Sequence, residues 1–170
     1  MQKNLFLLVL FIIASANLFA QKSLNRFIHK YAHYHNADYV NIGRLPMLLV
    51  RPFIDNGDED ARFLRNIRKV EVLAIDLKQN DARSIHNEMA QLKQDLVKDG
   101  YDELMFVKSD GDRVHILGKV INDNIVKECV LLIDQSDEIS VVHVNGRIRL
   151  DEIGNLSGRW GNAKFSVTKN

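Results

Sequence analysis

The sequence predicts an α+β fold: an antiparallel four-stranded meander over about residues 101–148, two strands before it, and helices packed on the sheet. Three observations carry this. Four apolar-rich runs, Tyr101–Lys108, Arg113–Ile121, Ile125–Asp134 and Ile139–Val144, follow one another closely. The gaps between them are Ser109-Asp110-Gly111-Asp112, Asn122-Asp123-Asn124 and Gln135-Ser136-Asp137-Glu138. Such residues tolerate left-handed backbone or bond their own turn, which is hairpin chemistry. Upstream, Ile85, Met89, Leu92 and Leu96 recur at helical spacing.

Register follows from the turns, because one residue of slip exchanges the two faces of a strand. A two-residue Asp110-Gly111 turn places Val107 opposite Val114, Met105 opposite Ile116 and Tyr101 opposite Val120. A two-residue Asn122-Asp123 turn places Val120 opposite Ile125, Ile116 opposite Cys129 and Val114 opposite Leu131. A three-residue loop would set Lys119 against Lys127, a like-charge pair that costs stability, so the shorter turn is preferred. The face with Tyr101, Met105, Ile116, Cys129 and Leu131 is then the core, with Glu103 and Lys127 as charged exceptions.

Taken in order, residues 1–20 carry Lys3, the apolar run Leu5–Ile13 and small or polar residues ending at Ala20. That is the layout of a secretory signal peptide, too short to span a bilayer comfortably. Its removal is expected to leave 22 basic and 22 acidic residues and no integral membrane span. A chain without net charge has no electrostatic case for nucleic acid or anionic lipid. Residues 21–156 read as one domain and 157–170 as a loosely ordered tail. Cys129 is the only cysteine, which excludes an intramolecular disulfide, and its strand position marks it as a small buried hydrophobe.

Leu24, Phe27, Ile28 and Tyr31 predict a helix from Ser23 to about Tyr34. Asp38–Ile42 is a short strand, while Leu45–Val50, between Pro46 and Pro52, fits a helix or a buried strand. Asp55–Asp60 is an acidic loop, and residues 61–67 form a short helix with Arg62, Arg65 and Arg68 outside. Lys69–Leu77 is a strand. Asn80 or Asp81 caps the long helix to Lys98, Gly100 stops it, and it is expected to lie across the core face. After Val144, Asn145-Gly146 turns a final hairpin or Gly146 sits in a strand continuing to Leu150, and Asp151–Leu156 is a short helix.

These residues resemble a family. The signal peptide, the Arg-rich helix leading into a strand, the long helix and Tyr101-Asp102-Glu103-Leu104-Met105 opening a meander are its layout. Leu131-Leu132-Ile133-Asp134 and Gly146-Arg147-Ile148-Arg149-Leu150-Asp151-Glu152-Ile153 complete it. The chain resembles the domain of unknown function 4252 family of exported bacterial proteins over about residues 22–156. The resemblance implies a periplasmic or envelope location and brings no catalytic residue, substrate or cofactor. Arg149 stands where the family tends to have Asp.

Chemistry is sparse. No Gly-x-Ser-x-Gly elbow, phosphate-cradling loop, dinucleotide fingerprint or His-Glu-x-x-His occurs. His29 and His33 are one helical turn apart with His35 close by, but no acid is interleaved, so solvated histidines are favoured over a metal site. The expectation is a non-catalytic, exported binding or protein-interaction module without cofactor or metal. Its alternative is an envelope hydrolase or metal-dependent enzyme using the histidines, His115 and His143 included. One feature points to a partner. The other meander face carries Leu104, Phe106, His115, Leu117, Val126, Val130 and Leu132, with Val142 and Val144, and does not alternate to polar residues. Either the chain's own helices cover it, the Ser23–Tyr34 helix being the candidate, or it meets a protein partner or forms a homodimer.

Overall fold

In a computed structural model, residues 22–46, 65–78, 81–109, 111–122 and 124–151 are described. The elements are α1 (Lys22–Tyr31), β1 (Ala37–Ile42), β2 (Ile67–Asp76), α2 (Ala82–Lys98), β3 (Asp102–Ser109), β4 (Asp112–Asn122), β5 (Ile125–Asp134) and β6 (Glu138–Arg149). The strands form one antiparallel sheet in the order β1-β2-β6-β5-β4-β3. The meander is β3 to β6, and the two earlier strands extend it beyond β6. The fold is the α+β arrangement expected from the turn chemistry.

Local signals set the elements. Asp81 caps α2, its side chain accepting from the Ser84 amide at 3.3 Å. Gly100, at φ +84°, takes the left-handed conformation that ends the helix. β6 runs through Gly146, where an added Cβ would lie 2.5 Å from the Asn66 carbonyl oxygen; the close approach of backbone requires glycine, not a turn. Residues 44–46 begin a helical turn and 150–151 another. The rest of both segments lies outside the described residues, as do the expected acidic loop, most of the expected Arg-rich helix, the expected leader and the expected tail.

Two register expectations need correction. The β3–β4 pairing has Val107 opposite Val114 and Met105 opposite Ile116, but an irregularity between Glu103 and Met105 puts Glu103 opposite Leu117, and Tyr101 precedes the strand. In β4–β5, Ile116 faces Leu131 and Val114 faces Ile133, two residues further along than predicted. From Val114 to Lys119 the faces survive, because the slip there is even. Lys119 thereby meets Glu128, an opposite-charge pair, and irregularities on either side of Val120 carry the pairing on to Asn122 opposite Ile125.

α2 lies on the other face from the one expected, beside α1, which was the candidate for that face and does cover it. Leu24, Phe27, Ile28 and Tyr31 of α1 and Ile85, Met89, Leu92 and Leu96 of α2 join Leu73, Ile75, Leu117, Val130, Leu132, Ile139 and Val141 in one buried cluster. Met105, Ile116, Cys129, Val144 and Ile148 form a second cluster on the opposite face, with Val142 packed against it. Val142 and Val144 therefore do not share a face with Leu132. The reason is topological. Four antiparallel steps make β2 and β3 parallel, so α2 is a crossover connection over β6, β5 and β4. The face such a helix takes is governed by crossover handedness, and two apolar faces leave the pattern undecided. α1 runs antiparallel to α2, fixed by Lys30–Glu88 at 2.6 Å and by Ser23 donating to Asp99.

Candidate functional site

α2 leaves part of the helix-side face open toward the β3 edge. A groove of about 500 Å³ runs there, between the α2 flank carrying Met89, Lys93, Val97 and Lys98 and the sheet residues Arg113, His115, Leu132 and Asp134. Its floor and walls are mostly apolar, with a few charged groups. That is the composition of many binding clefts. Beside it on β3, opposite His115, stands Phe106. The two rings stack with centroids 4.5 Å apart and 20° between planes. Phe106 keeps 42% of its surface exposed and Val97 keeps 50%, so the rim is apolar and open.

Two charge clusters bracket the groove. At one end Lys93 Nζ lies 2.9 Å and His115 Nδ1 2.5 Å from Glu103 Oε1. Burial works to raise the Glu103 carboxyl, but the hydrogen bonds from Lys93 and His115 outweigh it and hold it below the ordinary range. Burial pushes His115 below 6.5, the Glu103 hydrogen bond offsetting this only in part while Lys93 and Arg113 repel the proton. At the other end His86 Nδ1 is 2.6 Å from Asp134 Oδ1, and Arg113 donates to Asp134 Oδ2 at 2.7 Å. Each imidazole is thus oriented by a carboxylate. Among the described residues that line the groove there is no Ser, Thr or Cys.

The seven residues singled out from the sequence divide three ways. Leu117, Val130 and Leu132 are buried beneath the helices. Leu104 and Val126 turn to the second cluster, where they close over Gly118; an added Cβ there would meet them at 2.6 and 2.8 Å. Only Phe106 and His115 stay at the open strip, with the edge of Leu132 reaching the groove. The bulges explain the division, since each moves its residue to the opposite face. His29, His33 and His35 are exposed. Among the described residues no three His, Cys, Asp or Glu side chains converge as a metal site, and no helix is long and apolar enough to cross a membrane.

A buried polar network went unread in the sequence. Glu71 and His143 face each other across β2 and β6, with Nδ1 2.9 Å from Oε2. Tyr39 donates to Glu71 Oε1 at 2.9 Å, and Lys69 lies 2.8 Å from Oε2. Nearby on the same face Tyr101 donates to Glu128 at 2.6 Å. Cross-strand opposition of Glu71 and His143 was the available signal, but it needs the β2–β6 pairing, which local sequence does not show.

The profile of the family described as Domain of unknown function (DUF4252) matches residues 31–156. The chain belongs to that family. No curated protein matches it. A crystal structure of a protein of unknown function from Pseudomonas aeruginosa is similar at 7% identity, covering 75% of this chain and 80% of that one, with a TM-score of 0.32. The DUF4252 match begins inside α1 and extends past β6, so it takes in the sheet, α2 and the groove between them.

Proposed function

We propose that this chain is an exported, non-catalytic protein-interaction module whose working surface is the open strip at the β3 edge, centred on Phe106. One observation carries the reading. Two helices cover the apolar residues of this face from β2 as far as Leu117 of β4, and the aromatic residue at its far edge is left 42% exposed beside an apolar groove. Exposed aromatics on a rigid strand, ringed by charges, are the usual anchors of protein contacts. In the described lining of the groove the His115 imidazole is paired with Glu103 and the Asp134 carboxylate with Arg113, and no Ser, Thr or Cys hydroxyl or thiol is offered, which supports binding over acyl-transfer hydrolysis. The signal-peptide layout of residues 1–20 supports export.

The test is capture from envelope extract by immobilised mature protein, wild type against Phe106→Asp, with melting of both. The expected result is a stoichiometric partner, the chain's own copies included, held by wild type and lost by Phe106→Asp, with the melting temperature of the isolated single chain nearly unchanged. Equal capture by both would contradict the reading. So would hydrolytic turnover abolished by His115→Ala, which would promote the enzyme alternative.

A further inference from the structure

We infer that the partner of the β3 edge is a second copy of this chain, joined by antiparallel β3–β3 pairing about a two-fold axis through Phe106. The inference rests on the interaction reading above and names its occupant. β3 pairs with β4 on one side, and among the described residues it is the last strand of the sheet. An edge strand offers unpaired backbone groups to another strand, and natural proteins guard it with charges and bulges. β3 has both, in a self-complementary arrangement.

On the helix side of β3, Glu103, Phe106 and Lys108 stand opposite Leu117, His115 and Arg113. Those β4 partners are evenly spaced by two. The bulge at Leu104 thus sets Glu103 as far from Phe106 on one side as Lys108 is on the other. A two-fold axis through Phe106 therefore brings Lys108 opposite Glu103 of the second copy, twice, with the two Phe106 rings adjacent between them. On the other face Met105 and Val107 stand opposite Ile116 and Val114, again equidistant from the axis, so each meets the other across the junction. Asp102 meets Ser109 by the same symmetry. No like charges oppose each other. An isologous contact of this kind closes on itself as a dimer and does not propagate into a filament.

β1, the other edge, also exposes Tyr39, Val40 and Ile42, but its single charged residue, Asp38, has no opposite charge on the strand. Charge complementarity therefore selects β3. Both copies present their helices on one face of the joined sheet, so the two grooves open side by side, with the Phe106 pair between them.

The experiment is sedimentation velocity of the mature protein with cysteine cross-linking under mild oxidation. Wild type is expected at twice the single-chain mass. Phe106→Cys cross-links to itself, because directly opposite strand positions lie within disulfide reach, whereas Lys108→Cys does not, since it faces position 103. The native Cys129 is buried and does not interfere. Lys108→Glu sets like charges opposite each other twice and weakens the dimer by about tenfold. Single-chain mass for wild type at all concentrations overturns the inference. So does a dimer in which Lys108→Cys self-links and Phe106→Cys does not. A monomer that still captures a different protein through Phe106 overturns this inference and leaves the interaction reading standing.

Discussion

At the residue scale, burial decides the chemistry of most notable side chains. Cys129 is buried among apolar neighbours, and that burial pushes its thiol up to about 12. A thiol reagent should leave the native protein unmodified and label it only after unfolding; rapid labelling of the folded chain would contradict its place in the second cluster. Glu71 is drawn below the carboxylate range although burial works to raise it, because Lys69, His143 and Tyr39 all hydrogen-bond to it. Glu71→Ala strands His143 and Tyr39 and is expected to cost about 2–5 kcal/mol in urea unfolding. His115 and the carboxylates give stability a defined pH dependence. Because folding lowers the His115 pKa, the unfolded chain takes up that proton first. Its contribution is complete above 6.5 and is lost as pH falls from there to the folded value. Glu71 and Glu103, both lowered, contribute above their ordinary value of 4.5 and lose that contribution as pH falls through their folded values. Urea midpoints should therefore decline in two stages on acidification, and the His115 ring should titrate by NMR below 6.5. A midpoint above that value would place His115 elsewhere.

At the element scale, sequence and structure agree where the signal is local and part where it is not. The α2 cap, its four core positions and its Gly100 stop were all readable, because capping and helical period act within a few residues. The turn at Gly111 was readable for the same reason. Bulges were not, yet they left a trace. Glu103 and Lys127, the two charges that broke the apolar alternation, sit at the irregularities in β3 and β5 that return the strands to register. Their misreading placed Leu104 and Val126 on the wrong face and made the candidate surface look broader than it is. Two element predictions follow from packing. Leu92→Ala or Met89→Ala, each 3% exposed, should cost roughly 2–5 kcal/mol by chemical denaturation. A loss under about half a kcal/mol would mean that α2 is rotated away from the sheet. Gly146→Ala must displace the Asn66 backbone and should destabilise by about 1–3 kcal/mol.

At the scale of the whole molecule, the sheet is an asymmetric platform. Both described helices lie on one face and cover it from β2 as far as Leu117 of β4, so the β3 end is where that face comes to the surface. Which face the helices take, and hence which apolar residues stay open, depends on a crossover spanning three strands. No local pattern encodes that, and the sequence reading could only leave self-coverage and partner as rivals. The structure buries Leu117, Val130 and Leu132 beneath the helices and leaves Phe106 and His115 at the open strip. Metal analysis of the purified mature protein should find no tightly bound zinc or copper. A stoichiometric metal lost on changing His29 and His33 to Ala would revive the metal-dependent alternative.

The most direct test of that placement is the thermal unfolding of wild type, Phe106→Asp and Leu117→Asp, each without residues 1–20 and at a concentration low enough that all are single chains. Phe106 stands at an open edge and gives up chiefly its stacking on His115, so its variant should lose about 1 kcal/mol or less. Leu117 is 0% exposed beneath the helices, so a charge there should cost more than about 3 kcal/mol or prevent folding. If Phe106→Asp unfolds the protein as Leu117→Asp does, the Phe106 strip is interior to the fold and the proposed interaction surface does not exist.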